Sequence, residues 1–166
     1  SMIKTEATYQ NGKWIINGLK WYITGAGVAS HFILLAKTND GLTAFLYHKD
    51  QPGWNIKRRI PIMGPEEHGG HCEIVFNGLQ IPDKNRLGEV GKGLKIVQIR
   101  LCLARLTHCM RWIGLSRRSL EIALDYVSHR EGFGIKLSDR ESVQIKLGKA
   151  AMDIDIARLL VMRAAW

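Results

Sequence analysis

The chain has 166 residues, 46% of them hydrophobic, enough to bury a core, which excludes a disordered chain. Its 24 Lys and Arg against 15 Asp and Glu give a formal charge of +9, which favours anionic partners: nucleic acid, acidic lipid or phosphate-bearing small molecules. Cys72, Cys102 and Cys109 have neither disulfide-framework nor CxxC spacing and point to a reducing intracellular setting, while the longest apolar run, Phe32 to Ala36, is far short of a membrane span.

Up to Pro82 the chain is a series of short β-rich runs punctuated by turn residues: "IKTEATY", "WIING", "LKWYITG", "HFILLAK", "LTAFLYH" and "EIVFNGLQIP". Asn11-Gly12 signals a tight hairpin, because both residues tolerate the left-handed backbone that a primed turn requires. This spacing predicts a meander or small barrel over roughly residues 2–82. From Gly93 the period lengthens. Ile96, Ile99, Leu103, Leu106, Met110 and Ile113 recur at three- and four-residue steps beside a second stripe of Val97, Leu101, Ala104 and Trp112, which predicts a helix near 92–131, apolar on two faces and buried in a bundle. Ser138-Asp139-Arg140-Glu141 reads as a capping box opening a second helix over 138–166, with Val143, Leu147, Ala150, Ile154, Ala157 and Val161 on its apolar face. The expected fold is therefore α+β: an antiparallel β barrel or sandwich segment, then two long antiparallel helices of an incomplete four-helix bundle. A start in mid-strand and a finish in mid-helix lead to the expectation that the sequence is cut at both ends.

Three stretches carry candidate chemistry. "NGLKWYITGAG" places a Lys, two large aromatics and a Thr in one strand and then breaks it with glycines, as a phosphate-cradling loop, a flat ring-binding wall or ordinary strand residues would. "HREGFG" places Arg130 past a helix end, where it either complements the helix dipole or grips a phosphate. Gly91-x-Gly93 lacks the third Gly and parallel context of a dinucleotide fingerprint and reads as the turn that leads into the helix. His68, His71, Cys72 and the His108-Cys109 pair have no zinc-site spacing, so no metal is expected. The arginines of "RWIGLSRR" (Arg111, Arg117 and Arg118) leave a basic module for nucleic acid or a partner protein as the alternative from another class.

The series "NGLKWYITGAG", "HFILLAKT", "GWNIKRRIPIMG", "GGHCEIVFNGLQIP", "LGEVGKGLKIV", "ARLTHCMRWIGLSRRSLEIALDYVSHREGFG" and "RAAW" resembles, over essentially the whole chain, the FAD-dependent acyl-CoA dehydrogenases. Residues 1–88 correspond to their middle β domain and 89–166 to the first part of their C-terminal helical domain. "GGHCEIVF" and "THCMR" are similar to the animal branch fused to kinase-like domains. The resemblance implies that Tyr22, Ile23 and Thr24 form a wall for the isoalloxazine ring, with Tyr22 where a Trp is usual and the Thr24 hydroxyl on flavin N5. It implies that Arg130, Gly132 and Phe133 reach the FAD pyrophosphate of a neighbouring subunit, that Arg140 and Glu141 take the place of a polar pair on FAD, and that Arg105 and Thr38 lie near the acyl-CoA. Relatives remove the α-proton with a Glu. Most carry it beyond the position of Trp166 and some at the position of Ala104, so this chain alone is expected to be inactive while the whole protein is active. The implied protein is a homo-oligomeric, intracellular flavoenzyme, mitochondrial or peroxisomal in a eukaryote and cytoplasmic in a bacterium, served by an electron-transfer partner; a flavin oxidase is the neighbouring reading.

Overall fold

The computed structural model describes residues 3–64 and 68–166. In chain order the strands are β1 (Glu6–Gln10), β2 (Lys13–Thr24), β3 (His31–Thr38), β4 (Gly41–His48), β5 (Trp54–Arg59), β6 (His71–Pro82) and the short β7 (Arg86–Leu87). Helix α1 (Gly93–His129) follows, then the two-residue strands β8 (Glu131–Gly132) and β9 (Ile135–Lys136), and helix α2 (Glu141–Ala165). The chain divides inside α1 into two compact units, Ser1–Ile99 and Arg100–Trp166.

In the first unit β1 to β7 form one sheet with the order β5-β6-β2-β1-β3-β4-β7. Asn11 and Gly12 both have positive φ, 51° and 78°, and close the β1–β2 hairpin as expected. The expected antiparallel barrel or sandwich is instead an open mixed sheet. After β2 the chain crosses β1 and returns on its far side, so β3 pairs with β1 in parallel, at Glu6↔Lys37. The sheet curls: Tyr47 on β4 and Phe76 on β6, with three strands between them in the order, bring their rings to 5.8 Å, and Trp14 and Phe45 theirs to 5.3 Å. The core fills this curl with the alternate residues of each strand, Ile16, Phe32, Leu34, Ala36, Phe45 and Ile74 among them. Strand β5 is not among the expected β-rich runs; three of its six residues, Lys57, Arg58 and Arg59, are basic.

The turn leading into α1 needs its glycines for closeness. A Cβ on Gly93 would stand 2.5 Å from the Ala44 nitrogen and 2.6 Å from the Thr43 carbonyl carbon, so the first helical turn lies directly on β4. A hydrogen-bond chain ties this turn down: Gly91 N–H donates to Thr43 Oγ1 at 2.8 Å, Thr43 Oγ1 lies 3.2 Å from Thr38 Oγ1, and Thr38 donates to the Gly41 carbonyl at 2.8 Å.

In the second unit α1 continues unbroken and α2 lines one groove with it, about 800 Å³, with Met110, Ile113, Leu120 and Leu124 from α1 and Ile154, Val161 and Met162 from α2. The expected burial of α1 inside a bundle is not met within this chain: Leu103 and Trp112 are 68% and 65% exposed. The capping box is also corrected. Residues Leu137–Asp139 form a single tight turn, Ser138 Oγ donates to the adjacent Asp139, and Arg140 stands at the N-cap of α2 without a side-chain cap. The first helical bonds run from Val143 and Gln144 to the Arg140 carbonyl, so the N-cap lies two residues later than the Ser138 of the sequence pattern.

Candidate functional site

The strand that carries "WYIT" is not regular. Lys20 pairs with Ile74 and Ile23 with Cys72, so Trp21 and Tyr22 together face the single residue Glu73 across the ladder. This is a β-bulge, the device that re-aims side chains at functional edges of sheets. Tyr22 adopts φ 53°, a left-handed conformation that a bulky residue takes only when its surroundings impose it. The result is two large rings, 5.8 Å apart and at 75° to each other, more than half exposed. Thr24 follows on the same strand, with its exposed hydroxyl 2.9 Å from His71 Nδ1; the edge of the Tyr22 ring faces His71 at 6.4 Å. Ile23 points the other way, packs on the core and anchors the strand. Sequence reading weighed His71 only as a metal ligand and missed it as the partner of Thr24. The signal that could have found it was a polar residue opening β6 opposite the glycine break that ends β2.

Glu73 holds the bulge in place. Its carboxylate is buried and receives Arg58 Nε at 2.6 Å, Lys57 Nζ at 3.1 Å and a hydrogen bond from the Trp21 side chain. Arg58 also lies over the Trp21 ring, 5.5 Å from its centroid. The charge-assisted bond from Arg58, helped by Lys57 and Trp21 and opposed by burial, holds the Glu73 carboxyl below its ordinary range. As pH falls, the unfolded chain therefore takes up this proton before the folded one does. The contribution to stability is complete above the ordinary carboxylate value of about 4.3 and is lost as pH drops through the folded value. The expected result for Glu73→Gln is a lower urea midpoint than the parent at pH 7 and a gap that narrows towards pH 3. A gap that stays constant with pH would remove the charge from the explanation.

The second set of residues sits on the β8–β9 hairpin and the start of α2. Phe133 and Gly134 form its tip, both with positive φ, 54° and 81°, the pattern of a primed turn. Asn, Asp or Gly suits such a position. Phe133 accepts the strain and keeps its ring fully exposed. Arg140 braces the hairpin from below, with Nη2 donating to the Gly132 carbonyl at 2.7 Å and the guanidinium 5.8 Å from the Phe133 ring. Its Nε is buried with no hydrogen-bond partner among the described residues. Arg130 is exposed beside the hairpin, and its backbone carbonyl accepts the Leu137 N–H. Glu141 is exposed in the first turn of α2.

Two expected substrate contacts are placed differently. Thr38 is buried, with its hydroxyl committed to the β3–β4 turn. Arg105 is exposed on α1 and engaged in an interaction of its own. In the basic stretch, Arg117 and Arg118 both pair with Glu121 along the helix, at 3.1 and 3.6 Å, so much of its charge is answered locally. Among the described residues no three His, Cys, Asp or Glu converge as a metal set, and no helix is long and apolar enough to cross a membrane.

Comparison with known proteins matches the acyl-CoA dehydrogenase middle domain over residues 1–79 and the acyl-CoA dehydrogenase C-terminal domain over residues 91–166. Acyl-CoA dehydrogenase family member 11 of Rattus norvegicus is 34% identical over 93% of this chain and 21% of its own length. The mitochondrial short-chain specific acyl-CoA dehydrogenase of the same species is 32% identical over 97% of this chain and 40% of its own length. Among solved structures, PigA with FAD and proline superposes with a TM-score of 0.88 at 32% identity, over 99% of this chain and 44% of that one. The chain thus spans less than half the length of these relatives.

Proposed function

The chain belongs to the acyl-CoA dehydrogenase family, and from that premise we propose that it is the FAD-holding part of an enzyme that oxidises an acyl-CoA thioester to the 2,3-enoyl-CoA. Residues 1–88 serve as the middle domain and 89–166 as the opening of the helical domain. The observation that carries this reading is the bulge at Trp21-Tyr22, which spends backbone strain to hold a bare aromatic face beside an exposed hydroxyl.

Three features fit the cofactor. The Tyr22 ring and Thr24 hydroxyl suit the face and the N5 edge of a redox ring. The exposed Phe133 and the half-buried guanidinium of Arg140, with its orphaned Nε, suit an aromatic dinucleotide and its pyrophosphate. Arg130 adds an exposed planar donor fork. When bound, FAD supplies the two-electron acceptor for the hydrogen that leaves the substrate β-carbon. The protein side of the work is positional: Tyr22 would pack on the ring and Thr24 would hold N5, Arg130, Gly132 and Phe133 would hold the FAD of a neighbouring copy, and Arg140 and Glu141 would add polar contacts to FAD. The protein is therefore a homo-oligomer. Ala104 stands where some relatives carry the base and has no group to take the α-proton, so these residues hold the cofactor without completing the proton transfer. Arg105 and Thr38 are assigned to the acyl-CoA side, Thr38 through the turn it closes. An electron-transfer partner completes the cycle, and the setting is intracellular, mitochondrial or peroxisomal in a eukaryote.

The test is anaerobic mixing of the intact protein with acyl-CoA while flavin absorbance is followed, beside a measurement of bound FAD. Thr24→Val keeps the shape and removes one hydroxyl; FAD is retained and its reduction slows about tenfold or more. Arg130→Ala strips a charge-assisted contact of about 1.5 to 3 kcal/mol, so FAD retention falls by on the order of tenfold or more. A protein that binds no FAD, or a Thr24 variant reduced as fast as its parent, would sink the proposal.

A further inference from the structure

Thr24 has one hydroxyl proton, and two acceptors compete for it. One is His71 Nδ1, 2.9 Å from Thr24 Oγ1. The other is the flavin N5 assigned to Thr24 above. A hydroxyl that gives its proton to the imidazole has none left for the cofactor, so the protonation of Nδ1 decides what Thr24 can do. Resting on the FAD reading, we infer that His71 is a positioning residue whose Nδ1–H donates to Thr24 Oγ1 and turns the hydroxyl proton outward to the flavin.

The fold supports this role from several sides. Thr24 and His71 are direct partners in the β2–β6 ladder, so their side chains lie on one face at cross-strand distance. The backbone at that point is pinned twice, by the Gly25 N–H on the Gly70 carbonyl at 2.8 Å and by the Ile60 N–H on the His71 carbonyl at 2.7 Å. The Tyr22 ring flanks the imidazole edge-on. The imidazole is half-buried and thus loses part of its freedom to swing away. A donor in this place does what a bare Thr cannot: it fills one lone pair of Oγ1 and leaves one direction for the proton.

The direct test needs no substitution. The ring ¹⁵N shifts of His71 in the oxidised, FAD-loaded intact protein distinguish the two tautomers. The expected result is a proton on Nδ1; an unprotonated Nδ1 overturns the inference. The second test uses variants. His71→Leu should slow flavin reduction by acyl-CoA about tenfold, as Thr24→Val does. The double variant should be no slower than either, because both remove the same oriented hydroxyl. His71→Asn, whose amide can donate from the Nδ1 position, should stay within about twofold of the parent. The flavin absorbance bands of His71→Leu should shift as those of Thr24→Val do while bound FAD is unchanged. Leu and Asn variants that slow reduction equally overturn the positioning role, as do effects of His71→Leu and Thr24→Val that multiply in the double variant. FAD bound with a wild-type spectrum in His71→Leu overturns the inference alone, whereas a parent that holds no FAD overturns both it and the function it rests on.

Discussion

Phe45→Ala is expected to destabilise the β unit by about 4 kcal/mol, a large part of what a domain of this size has to lose. Phe45 has no exposed surface, sits at the centre of β4 and packs its ring on Trp14 across the curl of the sheet. The deletion removes the ring and leaves a cavity that rigid strands on both sides cannot close. Phe45→Leu keeps most of the volume and should cost less than half as much. Urea denaturation followed by far-ultraviolet circular dichroism measures both; a loss below about 1 kcal/mol for the alanine variant would mean that the sheet does not close on this residue.

Gly93→Ala is expected to destabilise by about 3 kcal/mol, although alanine is the better helix former. The added methyl meets backbone atoms of Thr43 and Ala44 within 2.6 Å, and no rotamer change relieves a clash with backbone. The first turn of α1 must lift from β4, and the Gly91–Thr43–Thr38 hydrogen-bond chain parts with it. Gly114→Ala, further along the same helix where nothing stands within 4 Å, is the control and should stabilise by about 0.5 to 1 kcal/mol. Opposite signs for the two substitutions separate close packing from helix propensity. A stabilising Gly93→Ala would show that α1 does not rest on β4.

The parts of the fold legible in the sequence were those encoded by local chemistry. Asn11-Gly12 specified its turn through backbone preference, and α1 ran unbroken because no Pro interrupts its 37 residues. The unreadable parts depend on partners distant in sequence. Strand β5 hides its pattern because Lys57 and Arg58 answer a carboxylate, Glu73, on the neighbouring strand. The parallel β1–β3 pairing is a choice of topology that leaves no periodic trace. Ser138 and Glu141 have the spacing of a capping box, yet the tight turn at Leu137–Asp139 delays the helix until Arg140. At the candidate site, Tyr22 and Thr24 were visible as residue types in a strand. The bulge that presents them, which exists only in the pairing of β2 with β6, and the histidine that β6 sets opposite Thr24 were not.

The distance along the chain between β2 and β6 also sets an order of events. The β1–β2 and β3–β4 pairings are hairpins with turns of two residues, and such local contacts cost little loop-closure entropy. The Thr24–His71 pair joins positions 47 residues apart, so it forms only when the intervening strands have been folded back and β6 docks on β2. High contact order makes that docking a slow, late step. The ring wall therefore does not exist on a partly folded chain. A nascent or locally unfolded β unit presents no wall for the flavin ring, so capture of that ring reports that β6 has docked on β2.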